Sequence, residues 1–144
     1  MNKSGLEKEW LLLQSQFDNY EKYSLLIKLF NIFMFCGFYL FGNITLIVIG
    51  ILFVLWIQDA IWKTFQSRIE PRLLELEQAI KNGESEKSDC LAFQFNSQYL
   101  LSRPSQFGLV KEYICQSLRP TIAYPHALLV VLALISTICS GTLS

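Results

Sequence analysis

The chain has 144 residues, 52% of them hydrophobic, with 12 Lys+Arg balancing 12 Asp+Glu for a formal net charge of zero. That is room for one modest domain, and the neutral balance gives no bulk basic character to draw the chain to nucleic acid. Four cysteines (Cys36, Cys90, Cys115 and Cys139) form no CxxC, which argues against a thiolate metal site and against a disulfide framework.

The first residues, MNKSGLEKEW, are charged and carry no apolar stretch, so no signal peptide is expected there. Leu6, Trp10, Leu13, Phe17 and Tyr20 then recur at spacings of 4, 3, 4 and 3, one stripe of a helix. Ser4 and Glu7 match a capping box. Nothing breaks the pattern before the first apolar block, and one continuous helix is expected from about Leu6 to Phe41.

The organising stretch is an apolar pair of segments, residues 24–62, folded at the turn dipeptide Gly42-Asn43, whose residues both tolerate positive φ. Of the basic residues, Lys3, Lys8, Lys22 and Lys28 precede or open the first block. The other eight, from Lys63 to Arg119, lie between the second and third blocks. If the pair crosses a bilayer and returns, every basic residue falls on one side, and the positive-inside rule makes that side the cytoplasm. A pair that dips in and returns without crossing would also keep all charges on one side. The uncharged runs Leu29–Phe41 and Ile44–Ile57 have 13 and 14 residues. Each covers roughly 20 Å at 1.5 Å per residue, short of the ~30 Å hydrocarbon core. Full crossing therefore draws in Lys28 on one arm and Gln58 and Asp59 on the other. Lys28 lies 14 residues before Gly42 and Asp59 lies 16 after Asn43, so the two fall at similar depth. They are read as an inner-interface pair, with separate snorkelling and an ion-handling role as alternatives. Asn31 shares the Lys28 face at i, i+3.

Beyond Trp62 the apolar stripe continues through Phe65, Ile69, Leu73, Leu76 and Ile80, with a kink expected near Pro71 and a stop at Asn82-Gly83. The two arms outside the membrane are expected to face each other as an antiparallel coiled-coil-like stalk, with Trp10 near Glu75 and Phe17 near Arg68. Residues 83–90 read as a loop, and Leu91–Leu101 as a helix. Pro104 is expected at a helix start, followed by an amphipathic helix bearing Phe107, Val110, Tyr113, Ile114 and Leu118. Thr121–Leu143 is 23 residues without a charge, long enough to span. Pro120 and Pro125 sit at its start, and Ala133, Ser136 and Ser140 offer a small-residue face.

No catalytic motif is present. His126, the only histidine, has no neighbouring partner in the sequence and reads as structural; no Gly-rich phosphate loop occurs, and neither cofactor nor metal is expected. A pore would need polar residues facing a lumen, for which Lys28, Asn31, Thr45, Gln58 and Asp59 are the candidates. The layout of amphipathic helix, two-span hairpin and helical cytoplasmic part resembles the two-span membrane effector domains of the SLATT type attached to bacterial nucleotide-signalling defence systems. The likeness covers about Leu6 to Ile80 and is one of layout rather than of motif residues. It implies an oligomeric pore opened by a signal; the third apolar block departs from it.

The expectation is thus an all-α integral membrane protein of the bacterial inner membrane. It is divided as 1–23 cytoplasmic amphipathic helix, 24–62 transmembrane hairpin, 63–120 cytoplasmic helical region and 121–144 third span with a short outer tail, the N-terminus inside and the C-terminus outside. The function expected is a non-enzymatic interaction subunit that self-associates or scaffolds other membrane proteins, with a homo-oligomeric pore as the alternative. Trp10, Phe17, Phe93, Phe95, Tyr99, Phe107 and Tyr113 are the candidate interaction residues.

Overall fold

The computed structural model describes residues 5–42, 44–82, 92–96 and 105–142. Among these, 91% are helical, in four helices and with no strand. They are α1 (Gly5–Leu40), α2 (Leu46–Lys81), α3 (Gln106–Ser117) and α4 (Pro120–Thr142). Helices α1, α2 and α4 are each long and apolar enough to cross a membrane.

α1 ends where Gly42 takes φ +66°, a conformation that suits a residue without Cβ. The closing turn is tied by Phe41 N–H to the Gly37 carbonyl and Gly42 N–H to the Tyr39 carbonyl, both 3.2 Å. α2 begins after Thr45, whose carbonyl accepts from Ile49 N–H at 3.2 Å while its side chain caps nothing. The two helices then run antiparallel. Asp59 meets Ser24, Gln66 meets the Phe17 carbonyl, Arg72 meets Glu9 and Glu77 meets Trp10.

The long pair is sorted into three levels. At the end away from the turn, Leu6 and Leu13 of α1 pack on Ile69, Leu73 and Leu76 of α2, with Trp10, Phe17 and Tyr20 at the edges. Full burial of a leucine such as Leu76 contributes about 1.5–3 kcal/mol. Near the turn, Val48 and Leu52 pack on Leu129 and Ala133 of α4, joined by Phe35 and Phe38. Ala133 is fully buried; with no side chain beyond Cβ it lets α4 come close to α2. Between the two apolar levels lies a polar one, built from Ser24, Lys28, Asn31, Asp59 and His126.

Four local features differ from the sequence expectation or refine it. Pro71 sits inside α2, exposed, and the helix runs through it to Lys81 as one 36-residue element. Ala92-Phe93 is a turn rather than helix. Phe93 has φ +61°, which a helix does not adopt, and its N–H donates to Glu9 Oε2, 84 positions away, at 2.6 Å. α3 is capped by Ser105, whose hydroxyl accepts from Gly108 N–H at 3.3 Å. α4 is interrupted at Tyr124 (φ −84°, ψ 129°), in the extended backbone that proline imposes on the residue before it. Ser4, Asn43, Gly83 and Pro104 lie outside the described residues, as do Leu91 and residues 97–101 of the expected helix.

Candidate functional site

The polar level draws on all three long helices. α1 supplies Ser24, Lys28 and Asn31, one face at spacings of 4 and 3. α2 supplies Asp59, and α4 supplies His126. Ser24, Asn31, Asp59 and His126 are each 0–1% exposed.

Asp59 is the centre. Its Oδ1 accepts a short hydrogen bond from Ser24 Oγ. Its Oδ2 stands 3.6 Å from Lys28 Nζ and 3.2 Å from His126 Nε2. On the far side of the imidazole, Asn31 Nδ2 faces His126 Nδ1. An amide nitrogen only donates, so Nδ1 accepts and the ring proton sits on Nε2, where it donates to Asp59. One arrangement of the imidazole therefore serves both neighbours. Trp56 stacks on the imidazole with ring planes 14° apart, and its Nε1–H donates at 3.1 Å to the Ser117 carbonyl at the end of α3. Asn31 Oδ1 is buried with no hydrogen-bond partner.

The second contact of Lys28 follows from a proline. In a continuous helix the Thr121 carbonyl would accept from the N–H of residue 125, but Pro125 has none. Lys28 Nζ donates to that carbonyl at 2.9 Å instead. The ammonium thus neutralises Asp59 and satisfies the backbone that Pro125 leaves open. Burying either ion alone would cost several kcal/mol, so this pairing keeps both charged groups tolerable away from water.

A second polar cluster lies toward the far end of the long pair. Glu9, 3% exposed, receives Arg72 in a two-pronged contact, Nε to Oε1 at 3.0 Å and Nη2 to Oε2 at 3.2 Å. Arg72 also reaches Glu75 at 3.2 Å. Burial works against the Arg72 charge, but hydrogen bonds and charge from Glu9 and Glu75 outweigh it and hold the guanidinium above its ordinary range. Beside this cluster is a cavity of about 540 Å³ lined by Glu9, Leu13, Tyr20, Phe65, Arg68 and Phe93, among others.

The sequence candidates are distributed unevenly over these features. Lys28, Asn31 and Asp59 come together. Gln58 does not: one position from Asp59 it is rotated about 100° around the helix and is exposed. Thr45 is also exposed and lies at the turn end. Trp10 donates to Glu77 Oε1 at 3.2 Å, and Phe17 packs on the far-end core. Phe95 packs there too, whereas Phe93 is exposed beside the cavity. Tyr113 lies 6.0 Å beneath the Arg68 guanidinium, and Phe107 projects outward. Tyr99 lies outside the described residues. His126 and Ser24 are members the sequence reading missed. The partners of His126 are 67 and 95 positions away, so no local motif could mark it; the usable signal was a lone histidine at the start of an uncharged span. Among the described residues no group of three or more His, Cys, Asp and Glu side chains could hold a metal ion. The chain matches no known protein family, curated protein or solved structure.

Proposed function

We propose that this chain is a small structural or interaction subunit of the bacterial inner membrane, without catalysis, that self-associates or scaffolds partner proteins. In this reading α1 and α2 cross as a hairpin and extend into the cytoplasm as a stalk, α4 crosses once more, and the C-terminus lies outside. The observation that carries it is the closure of the polar level. The ionisable groups on the spans, Lys28, Asp59 and His126, are spent on one another. Apart from Gln58 and Thr45 the spanning surface is mostly apolar, and only 11% of the most apolar window of α1 is buried within the chain. Such a surface has room for lipid and for other spans, and the aromatic-lined cavity on the stalk offers a partner contact outside the bilayer.

Native mass spectrometry of the protein extracted in a mild detergent tests the proposal. A defined homo-oligomer or hetero-complex supports it, and a lone monomer that co-purifies with nothing overturns it. The pore reading predicts ion flux through a reconstituted homo-oligomer. In that case Gln58 or Thr45, rather than the closed cluster, would have to line the pathway; background flux rejects it.

A further inference from the structure

Helix α3 is amphipathic with the polarity reversed. Its polar side faces the protein: Glu112 pairs with Arg68 at 2.8 Å and Gln116 Nε2 donates to Ser67 Oγ at 3.1 Å. Its apolar side faces outward: Phe107 is 89% exposed, Leu118 66%, Ile114 56% and Val110 55%. These four fall at spacings of 3, 4 and 4, so they form one row along the helix. Water would leave that row as a contiguous apolar patch.

The depth of α3 indicates what covers it. Asp59 lies 13 residues into α2 from Leu46. A hydrocarbon core of ~30 Å, counted from Leu46 at ~1.5 Å per residue, ends roughly 20 residues along, near Phe65 and Gln66. The α3 contacts to Ser67 and Arg68 are at that boundary. Its C-terminal end dips inside that boundary: the Ser117 carbonyl accepts from Trp56, and Thr121, three residues past Leu118, is held by Lys28 at the level of Asp59, roughly 10 Å deeper at ~1.5 Å per residue. Leu118 leads within two residues into α4, whose Leu128, Val131, Leu132 and Ile135 form an exposed apolar surface of their own. Exposed Lys111 and Arg119 accompany the row, placed for anionic headgroups.

We propose that α3 is an interfacial helix of the cytoplasmic leaflet, with Phe107, Val110, Ile114 and Leu118 set among acyl chains and Lys111 and Arg119 at the headgroups. The inference rests on the membrane reading above and adds a fourth, non-spanning contact with lipid. A variant with the four native cysteines replaced by serine receives single cysteines at Phe107, Val110 or Ile114. Each is spin-labelled and reconstituted in phosphatidylcholine–phosphatidylglycerol vesicles. Collision with oxygen, which concentrates in lipid, is compared with collision with a water-soluble nickel chelate. Leu132 of α4 serves as the lipid reference and Leu74 of α2 as the aqueous one. The expected result is a high oxygen-to-nickel ratio at all three α3 sites, close to that at Leu132. Ratios matching Leu74 would overturn the proposal in favour of an aqueous face. Shielding from both reagents would overturn it in favour of a second copy or another protein. A nickel-accessible Leu132 would overturn the membrane placement itself, and the inference with it. In the unaltered chain, a lipid carrying a diazirine on its acyl chain should tag the peptide that contains Phe107; tagging of α4 without tagging of α3 would also refute the assignment.

Discussion

Among the described residues two ion pairs join α1 and α2 around a buried carboxylate, Asp59 in one and Glu9 in the other, and they are completed differently. Arg72 meets Glu9 with both prongs of the guanidinium, and Glu9 also takes a backbone N–H from Phe93. All three donors come from α2 and the Ala92-Phe93 turn, so two helices and a turn are enough. Asp59 instead faces a single ammonium at 3.6 Å and fills its remaining positions with Ser24 and His126. That arrangement needs α4 for its histidine, and α4 needs Lys28 for its open carbonyl. The pair beside α4 is therefore a three-helix device, whereas the pair at the far end is a two-helix clamp.

Removing Asp59 should have the largest effect. Asp59→Ala leaves Lys28, Ser24 and His126 without their common acceptor, a loss of roughly 3–5 kcal/mol for a broken buried pair. Reversible unfolding in mixed detergent micelles would measure it. Asp59→Asn keeps an acceptor oxygen and should lose clearly less; equal losses would mean that the hydrogen bonds of this centre contribute little.

His126→Ala comes next. It removes one hydrogen bond each from Asp59 and Asn31 and opens a void beside Trp56, an expected loss of about 2–4 kcal/mol. Here the two regions should separate. Hydrogen exchange should rise in α4 and in α1 around Asn31, with Phe93 N–H unaffected. A rise at both ends would mean that the clusters are coupled.

Glu9→Ala tests the clamp. It removes the two-pronged partner of Arg72, which keeps Glu75, and frees Phe93 N–H, at about 1.5–3 kcal/mol for hydrogen bonds to a charged group, and exchange at Phe93 should rise while α4 stays protected. The arginine side of this clamp offers no pH switch. A raised folded-state pKa stabilises at every pH below the unfolded value and is lost only as pH rises through the folded one. Both values lie far above any working pH for Arg72. Exchange at Phe93 should therefore stay constant through mildly alkaline buffer.

The smallest effect is expected from Arg68→Ala. Its pair with Glu112 is partly exposed, at 14% and 29%, and such pairs contribute about 1 kcal/mol or less and weaken with salt. A loss that vanishes in high salt would place it with surface pairs, and a salt-independent loss with the two buried clusters.

What could be read from the chain and what could not divides along physical lines. Gly42 and the uninterrupted stripes around it mark the ends of α1 and α2, because backbone freedom and apolar spacing are local properties. Counting from that turn puts Lys28 and Asp59 at one depth, since two antiparallel helices share a rise per residue. The same count cannot reach His126, whose height depends on where α4 docks. Gln58 illustrates a different limit: its depth is countable from the turn, but one position from Asp59 it is rotated about 100° and turns outward. For α3 the spacing of Phe107, Val110, Ile114 and Leu118 defines a face without saying whether that face meets protein or its surroundings. The Ala92-Phe93 turn was hidden because the group that dictates it, Glu9, belongs to the first helix.

Synthesis proceeds from α1 to α4, so on the membrane reading the polar level is completed in stages. Lys28 and Asp59 can neutralise one another as soon as α2 has joined α1. Asn31 must wait for His126, and the Thr121 carbonyl, once made, has Lys28 already in place to receive it. A chain halted at Arg119 would hold its ion pair while offering a bare amide to the lipid, a group that seeks a partner on any neighbouring helix. On that reading the late helix supplies the partner that Asn31 Nδ2 lacks until then.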